Sequence, residues 1–242
     1  MSQSGTARRR GRQPGSRDVM KYLIVNGDDF GASSGVNRGI KEAHLHGILT
    51  SASLLVNTPW ADEAARLAAG LPNLSVGLHA DLRDELDKAS GDSRGVRESL
   101  QQQFRRFESL VGRPPTHIDS HHNVHRDPRA LAPFLELARE HDLPLREHSP
   151  VRYVSKFYGQ WNGQTHPEQV SVENLEQIIG SEIGDGISEL SCHPGYVDEG
   201  HVTSYRKERE AELRTLCDPR IRRTLAERLI TLISYRQIIK IR

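Results

Sequence analysis

The sequence lacks most features that would tie it to a particular partner or compartment. Only two cysteines occur, Cys192 and Cys217, and without a secretory signal we expect reduced thiols rather than a disulfide framework. The formal net charge is +1, which gives no overall attraction to nucleic acid or membrane surfaces. No apolar run approaches the roughly 20 residues of a membrane-spanning helix. These absences favour a cytoplasmic protein with no nucleic-acid partner and no membrane span.

Length and composition fit a single α/β domain. With 242 residues, 36% of them hydrophobic, the chain can bury one substantial core, and α/β barrels commonly reach this size as one domain. Residues 1–19 differ, because the arginine-rich stretch from Arg8 to Arg17 has no apolar side chain for a core. We expect a disordered basic tail there: a solvated extension, a stretch upstream of an effective start at Met20, or a phosphate-binding arm. The folded domain is predicted over residues 20–242.

From residue 20 onward, strand and helix patterns alternate. Short apolar runs typical of buried strands occupy residues 22–25, 51–56, 75–78, 116–118 and 187–191, with a weaker one at 143–146. Helices are predicted between them, at residues 33–47, 60–69, 96–111 and 128–141. This alternation predicts a mostly parallel sheet with right-handed crossovers, either open or closed into a distorted or incomplete TIM-like (β/α) barrel.

Clusters of Asp and His follow the predicted strands, at residues 28–29, 79, 117–125 and 193. Because the carboxyl ends of parallel strands meet at one edge of a sheet, we expect these clusters to converge in one site. Residues 147–165, which contain Trp161 and two tyrosines, show no regular pattern. They would form either a loop over this site or a loosely ordered surface excursion.

The first cluster is a pair of adjacent carboxylates. Asp28 and Asp29 would repel each other unless a cation or a proton intervened. Because neighbouring residues point in different directions, one carboxylate could bind a metal ion while the other acts as general base on water. Taken alone, an Asp-Asp pair is more often a polar turn that caps a helix, so the other clusters decide its meaning.

The densest cluster holds four histidines and one aspartate within nine residues, 117–125. This density favours metal binding, since neutral imidazole binds Zn²⁺, Mn²⁺ or Fe²⁺ and a carboxylate such as Asp119 can orient the ring. A catalytic ion takes about three protein ligands, so not every histidine here can be one. Alone, His79 is more often a partly buried structural histidine. His193, held by a following proline and glycine, is either a general acid or a plain turn residue.

Five ordered motifs resemble the YdjC/ChbG family of carbohydrate deacetylases. They are LIVNGDDFG at 23–31, GLH at 77–79, PTHIDSHHNVH at 115–125, CHPG at 192–195 and SYR at 234–236. The resemblance covers about residues 20–238. It implies a (β/α) barrel-like fold, often a homodimer, and a hydrolase that uses one divalent metal ion to remove acetyl groups from N-acetylated sugars such as chitooligosaccharides. Hopanoid-associated members imply that the substrate varies.

The resemblance also implies roles for individual residues. Three residues would bind the metal, namely Asp29, His79 and His121. Asp28 would be the general base, and His193 the general acid that protonates the leaving amine. His125 would line the site or support it from behind, as Asp119 would. Of the metals that suit these ligands, Mg²⁺ or Zn²⁺ is expected before Mn²⁺, Fe²⁺ or Co²⁺.

The chain departs from the family pattern in places that bear on the substrate. Asn123 replaces the last residue of the family's triple histidine, and Gly27 replaces an alanine before the two aspartates. Residues 80–87 are more charged than the family's usual segment and would contact the sugar. Residues between His125 and His193 are expected to hold most of the substrate choice.

Two other functions remain open at the level of sequence. A phosphoesterase could use the same Asp and His residues, but it needs a cationic clamp or a second metal. The arginines near the motifs form no recognised phosphate motif; they are Arg38, Arg83, Arg126 and Arg146. A non-catalytic sugar-binding protein would need neither Asp28 nor His193.

Overall fold

The computed structural model describes residues 20–88, 93–198 and 203–240, so the predicted basic tail at residues 1–19 lies outside the described residues. In these ranges the strands are β1 (Lys21–Phe30), β2 (Ser51–Leu54), β3 (Ser75–Ala80), β4 (Ile118–Ser120), β5 (Arg152–Val154), β6 (Gln160–Trp161), β7 (Gln164–Thr165), β8 (Gly186–Cys192) and β9 (Ile230–Leu232). The α-helices are α1 (Ser34–Leu45), α2 (Ala61–Ala69), α3 (Arg83–Lys88), α4 (Arg94–Val111), α5 (Pro128–Glu140), α6 (Val172–Glu182), α7 (Lys207–Cys217) and α8 (Pro219–Glu227). Shorter 3₁₀ segments span His121–Arg126, Pro167–Val170 and Tyr235–Lys240.

Seven strands form one parallel sheet in the order β4-β3-β2-β1-β8-β5, and β9 pairs with the first residues of β1. Beyond β4, Ile118 forms a parallel bridge with Leu145. The hairpin of β6 and β7 is separate and antiparallel. The predicted α/β class is therefore confirmed, in the form of an incomplete (β/α) barrel with parallel strands.

The central strand and the first helix form where the sequence predicts them. Leu23, Ile24 and Val25 are fully buried, as expected for a parallel strand covered on both faces. The Ser33 hydroxyl accepts a hydrogen bond from the Val36 amide and thereby caps the start of α1. The face of α1 that includes Val36 is buried against the core, which fixes the path of the chain directly after β1.

β1 is longer than predicted, because it continues through Asp28 and Asp29 to Phe30. Its pairing with β2 shifts register between Gly27 and Phe30, and Asp29 has a φ of 65°. Such a bulge lets a strand continue while it turns one side chain to a new direction. The two carboxylates thus end the strand instead of standing in a loop after it.

Residues 147–165 are more regular than predicted. β5 adds to the main sheet beside β8, and β6 and β7 are joined by Asn162 and Gly163, both with positive φ. An Asn-Gly pair is a strong sequence signal for a tight hairpin turn, and that signal was missed. The weak strand expected at residues 143–146 is reduced to the single bridge at Leu145.

Cys192 and Cys217 are free thiols. Within the described part of the chain, no helix combines the length and the apolar character needed to cross a membrane.

Candidate active site

A cavity of about 660 Å³ opens at the carboxyl ends of the central strands. Five of the predicted site residues line it: Asp28, Asp29, His79, His121 and His193. They come from the end of β1, from β3, from the 3₁₀ segment after β4 and from the residue after β8. The parallel topology thus brings together side chains that are far apart in sequence. The other two predicted site residues, Asp119 and His125, do not line the cavity.

Asp29 lies between two imidazoles. Its Oδ1 atom is 3.0 Å from His121 Nδ1 and 3.3 Å from His79 Nε2. Ligands about 2.0–2.1 Å from one ion lie roughly 3–3.5 Å from each other, so these separations suit a shared divalent cation. One carboxylate oxygen and two ring nitrogens are also a donor set that such ions accept. The three residues therefore fit a metal ion.

The second ring nitrogen of His79 is fixed from behind by Asp119, whose Oδ1 lies 2.7 Å from His79 Nδ1. Burial alone would lower the pKa of His79, but Asp119 and Asp29 outweigh burial and raise that pKa to about 10. The buried carboxylates thus make this position strongly attractive to positive charge. A carboxylate behind a ligating histidine is the usual way to set the tautomer and direction of the ring.

A second group of potential ligands combines Asp28, His79 and Asp119. Its carboxylates already have other partners, because Arg146 contacts both aspartates and the Ser53 hydroxyl donates to Asp119 at 2.6 Å. Asp119 is also completely buried. Asp29 also has an arginine partner, but Arg209 contacts its Oδ2 atom, whereas the two histidines approach Oδ1. The group built on Asp29 is therefore the better candidate for a metal.

Asp28 is held by a guanidinium. Arg146 donates to Asp28 Oδ2 at 2.7 Å and to Oδ1 at 2.8 Å. The side-chain amide of Asn26 also donates to Oδ1, at 2.8 Å. A bidentate arginine fixes both the position and the plane of a carboxylate. Asp28 is thereby oriented at the edge of the cavity, beside the possible metal position.

Arg146 forms ion pairs with three buried carboxylates. Besides Asp28, it contacts Asp119 at 2.9 Å and Glu189 at 2.6 Å, and its own side chain is 1% exposed. Burial raises the pKa of Glu189, and the Tyr235 hydroxyl donates to Glu189 at 2.6 Å. Tyr235, from the SYR motif at the end of the domain, thus supports the floor of the site through Glu189.

His193 lies near the proposed base, with its Nε2 atom 4.0 Å from Asp28 Oδ2. Its backbone amide donates to Glu212, and its Nδ1 atom is 3.8 Å from Glu212 Oε1. Burial would lower the pKa of His193, but the neighbouring carboxylates, led by Glu212, raise it. The imidazole therefore tends to keep its proton, as a general acid must.

The other histidines of the dense cluster have structural surroundings. His117 is fully buried and stacks on Tyr235 with ring centroids 3.8 Å apart. His125 contacts the Ser120 hydroxyl at 2.6 Å and Glu147 at 3.2 Å, behind the cavity wall. His122 lines the cavity but belongs to neither group of potential metal ligands. Of these four histidines, His121 alone stands in such a group.

Sequence reasoning missed two charged residues on α7. Arg209 donates to Asp29 Oδ2 at 2.5 Å, and Glu212 backs His193. Both are buried, although the sequence of α7, KEREAELRTLC, is typical of a helix that is mostly exposed to solvent. A signal was present in the helical spacing, since Glu208, Glu212 and Leu216 recur every four residues on one face. Carboxylates on the face expected to be apolar can mark a buried polar site.

The fold and the site define the class: a (β/α)-barrel-like protein whose polar site is built at the carboxyl ends of its strands. The model of one family, YdjC-like protein, matches residues 22–227. A carbohydrate deacetylase from Geobacillus stearothermophilus is 37% identical, covering 91% of this chain and 99% of the relative. A chitooligosaccharide deacetylase from Serratia marcescens is 34% identical, covering 90% and 99%.

A solved structure has a similar fold. A protein from Enterococcus faecalis, suggested to cleave cellobiose phosphate, superposes with a TM-score of 0.77 at 27% identity, over 90% of this chain and 99% of that one. Together with the family match over residues 22–227, these findings place the chain plainly: it belongs to the YdjC-like protein family.

Proposed function

We propose that this protein is a carbohydrate deacetylase that hydrolyses the acetamide of an N-acetylated sugar, such as a chitooligosaccharide. One observation carries the proposal. A carboxylate oriented by Arg146 and an imidazole whose pKa is raised by neighbouring carboxylates face the same cavity, beside three residues that fit a divalent ion. The names of the relatives from Geobacillus stearothermophilus and Serratia marcescens support the same chemistry.

Asp29, His79 and His121 would hold the ion, and Asp119 would keep His79 in the required direction. When bound, a divalent ion supplies a Lewis acid that polarises an amide carbonyl and lowers the pKa of water. The donor set suits Zn²⁺ and other transition metals as well as Mg²⁺. Metal dependence and the identity of the ion are parts of the proposal.

The residues of the chain would handle the protons. Asp28, fixed by Arg146, takes a proton from the attacking water as the new carbon–oxygen bond forms. His193 donates its proton to the amide nitrogen as the carbon–nitrogen bond breaks, so acetate and a free amine leave. The 4.0 Å separation of Asp28 and His193 allows both groups to reach one acetamide.

A phosphoesterase is less well supported, because the nearby cations are already paired. The four arginines considered as a clamp each contact a carboxylate: Arg38 with Asp198, Arg83 with Asp81, Arg126 with Glu147 and Arg146 with Asp28. Arg209, the further cation at the site, contacts Asp29. Phosphoryl transfer needs positive charge that is available to the phosphoryl oxygens, whereas an acetamide is neutral.

The test is acetate release from a panel of N-acetylated sugars, including chitobiose and N-acetylglucosaminyl lipids, by protein reconstituted with Zn²⁺, Mg²⁺ or Mn²⁺. A variant carrying Asp29→Ala and His121→Ala should bind no metal and release no acetate. His46→Ala, at an exposed histidine, should behave as the wild type. Phosphate release from phosphorylated sugars, or sugar binding without any product, would reject the proposal in favour of a phosphoesterase or a binding protein.

A further inference from the structure

Tyr158 occupies an unusual position in the cavity wall. Among the large hydrophobic side chains that are exposed in the described part of the chain, Tyr158 alone lines the cavity. It is 37% exposed. Its ring meets His193 edge-on, with centroids 5.4 Å apart and an interplanar angle of 67°. An open aromatic surface thus adjoins the imidazole that would face the leaving nitrogen.

The ring of Tyr158 packs against a second aromatic ring. Tyr205 stacks on it with centroids 4.6 Å apart and an interplanar angle of 2°. The Tyr205 hydroxyl accepts a hydrogen bond from the Gly159 amide at 2.8 Å and donates one to Glu212. The same carboxylate that backs His193 therefore also holds the support of Tyr158. A surface fixed before binding costs little conformational entropy when a ligand packs on it.

The segment that carries Tyr158 is itself anchored. The His166 amide donates to the Gly159 carbonyl at 2.7 Å, and the Thr165 hydroxyl donates to Glu208 at 2.6 Å. The Ser204 hydroxyl donates to the Gln160 side chain at 2.9 Å. The first bond closes the β6–β7 hairpin, and the other two tie the hairpin to the start of α7 and to the residues just before it.

The chemistry of this wall suits a sugar ring. The hydroxyl-bearing residues Ser155, Thr203 and Ser204 line the cavity together with Tyr158. An aromatic face beside a few polar groups is the typical composition of a site for a small neutral ligand. A pyranose has an apolar C–H face and polar hydroxyl edges, which match such a wall. A phosphate group would gain nothing from the aromatic ring.

We infer that Tyr158 is a specificity-determining residue whose ring packs on the pyranose that carries the acetamide. The inference rests on the proposed deacetylase function. Stacking there would place the sugar nitrogen next to His193 and would favour N-acetylated sugars over acetamides without a ring. The contact would act mainly on substrate binding, because the ring itself transfers no proton.

The test compares Tyr158→Ala and Tyr158→Phe with Tyr196→Ala, which changes a tyrosine that is 39% exposed and does not line the cavity. KM and kcat are measured by acetate release from an N-acetylated chitooligosaccharide. The Kd of the same sugar is measured by calorimetry in the Asp28→Asn background, where turnover should be slow. Thermal unfolding identifies any variant that has lost its fold.

Tyr158→Ala should raise both Kd and KM about tenfold, equivalent to about 1.4 kcal/mol. Tyr158→Phe, which keeps the ring, and Tyr196→Ala should change neither. A lower kcat with unchanged KM and Kd would show that Tyr158 only supports His193, and an equal loss in Tyr158→Phe would show that the hydroxyl is the contact; either result overturns the inference.

Failure of the proposed function would look different. Wild-type protein that binds the sugar but releases no acetate rejects the deacetylase, and the Kd of Tyr158→Ala still decides on the stacking contact. Wild-type protein that releases acetate while Tyr158→Ala keeps its KM and Kd rejects the stacking contact alone. Wild-type protein that neither binds nor hydrolyses any N-acetylated sugar rejects both.

Discussion

Arg146 donates one hydrogen bond to each carboxylate oxygen of Asp28, at 2.7 and 2.8 Å. The two residues are 118 positions apart in the sequence, yet the pair is almost completely enclosed. Because Arg146 also contacts Asp119 and Glu189, a single cation connects the proposed base with the residue that orients His79. Loss of the Arg146 charge should therefore lower the free energy of unfolding, whereas a change in the geometry of its hydrogen bonds should lower kcat.

Arg146→Met should destabilise the protein by about 3–5 kcal/mol, the usual cost when one partner of a buried ion pair is removed. Arg146→Lys keeps the charge but cannot donate two parallel bonds from a rigid fork. Its kcat should fall by about 10²-fold, as expected for a misplaced catalytic group. Urea unfolding and acetate release measure the two effects. A lysine variant with wild-type kcat would contradict the positioning role.

Asp119→Asn should weaken metal binding by about 10–100-fold, which is typical when the residue behind a ligating histidine is changed. Asp119 does not line the cavity, so the loss would arise through the direction and tautomer of the His79 ring. Calorimetric titration of the metal-free protein with Zn²⁺ gives the affinity. Asp185→Asn, at an exposed aspartate, is the matched control. Equal affinities in both variants would argue against the role of Asp119 in orienting the His79 ring.

Asp28→Asn should leave metal binding unchanged while kcat falls by about 10²–10⁴-fold, the usual contribution of a general base. Asparagine preserves the size of the side chain, although it can accept only one of the two Arg146 bonds. Metal content and thermal unfolding should therefore be compared with those of the wild type. Full acetate release by this variant with bound metal would remove the base assignment.

Much of the fold follows from local patterns in the sequence. The apolar run at residues 22–25 and the cap at Ser33 predict β1 and α1, because burial and capping depend on neighbouring residues. β5 was missed because three residues are too few to show alternation. The β6–β7 hairpin carried a readable Asn-Gly signal at Asn162, but its strands have only two residues each.

The site was predictable where it depends on strand ends, and unpredictable where it depends on tertiary burial. Asp28 and His193 follow apolar runs that point to one edge of the sheet. Arg209 is separated from its partner Asp29 by 180 positions. A charged residue on a helix is usually solvated, and although the helical spacing of Glu208, Glu212 and Leu216 indicates a buried face of α7, nothing local indicates that Glu212 lies beside His193. The roles assigned to these residues stay predictions until they are measured.

The pH dependence of turnover should report the proton on His193. A general acid is active while protonated, so activity should persist above the ordinary pKa of 6.5 and decline only as pH rises through the raised pKa. Glu212→Gln removes the carboxylate that contributes most to raising this pKa, which lets the opposing effect of burial gain weight. The alkaline decline of kcat should then move to lower pH. Glu210→Gln on the same helix, whose carboxylate contacts the Val197 amide, should leave the decline in place. An identical pH profile in both variants would exclude His193 as the group that sets the alkaline limb.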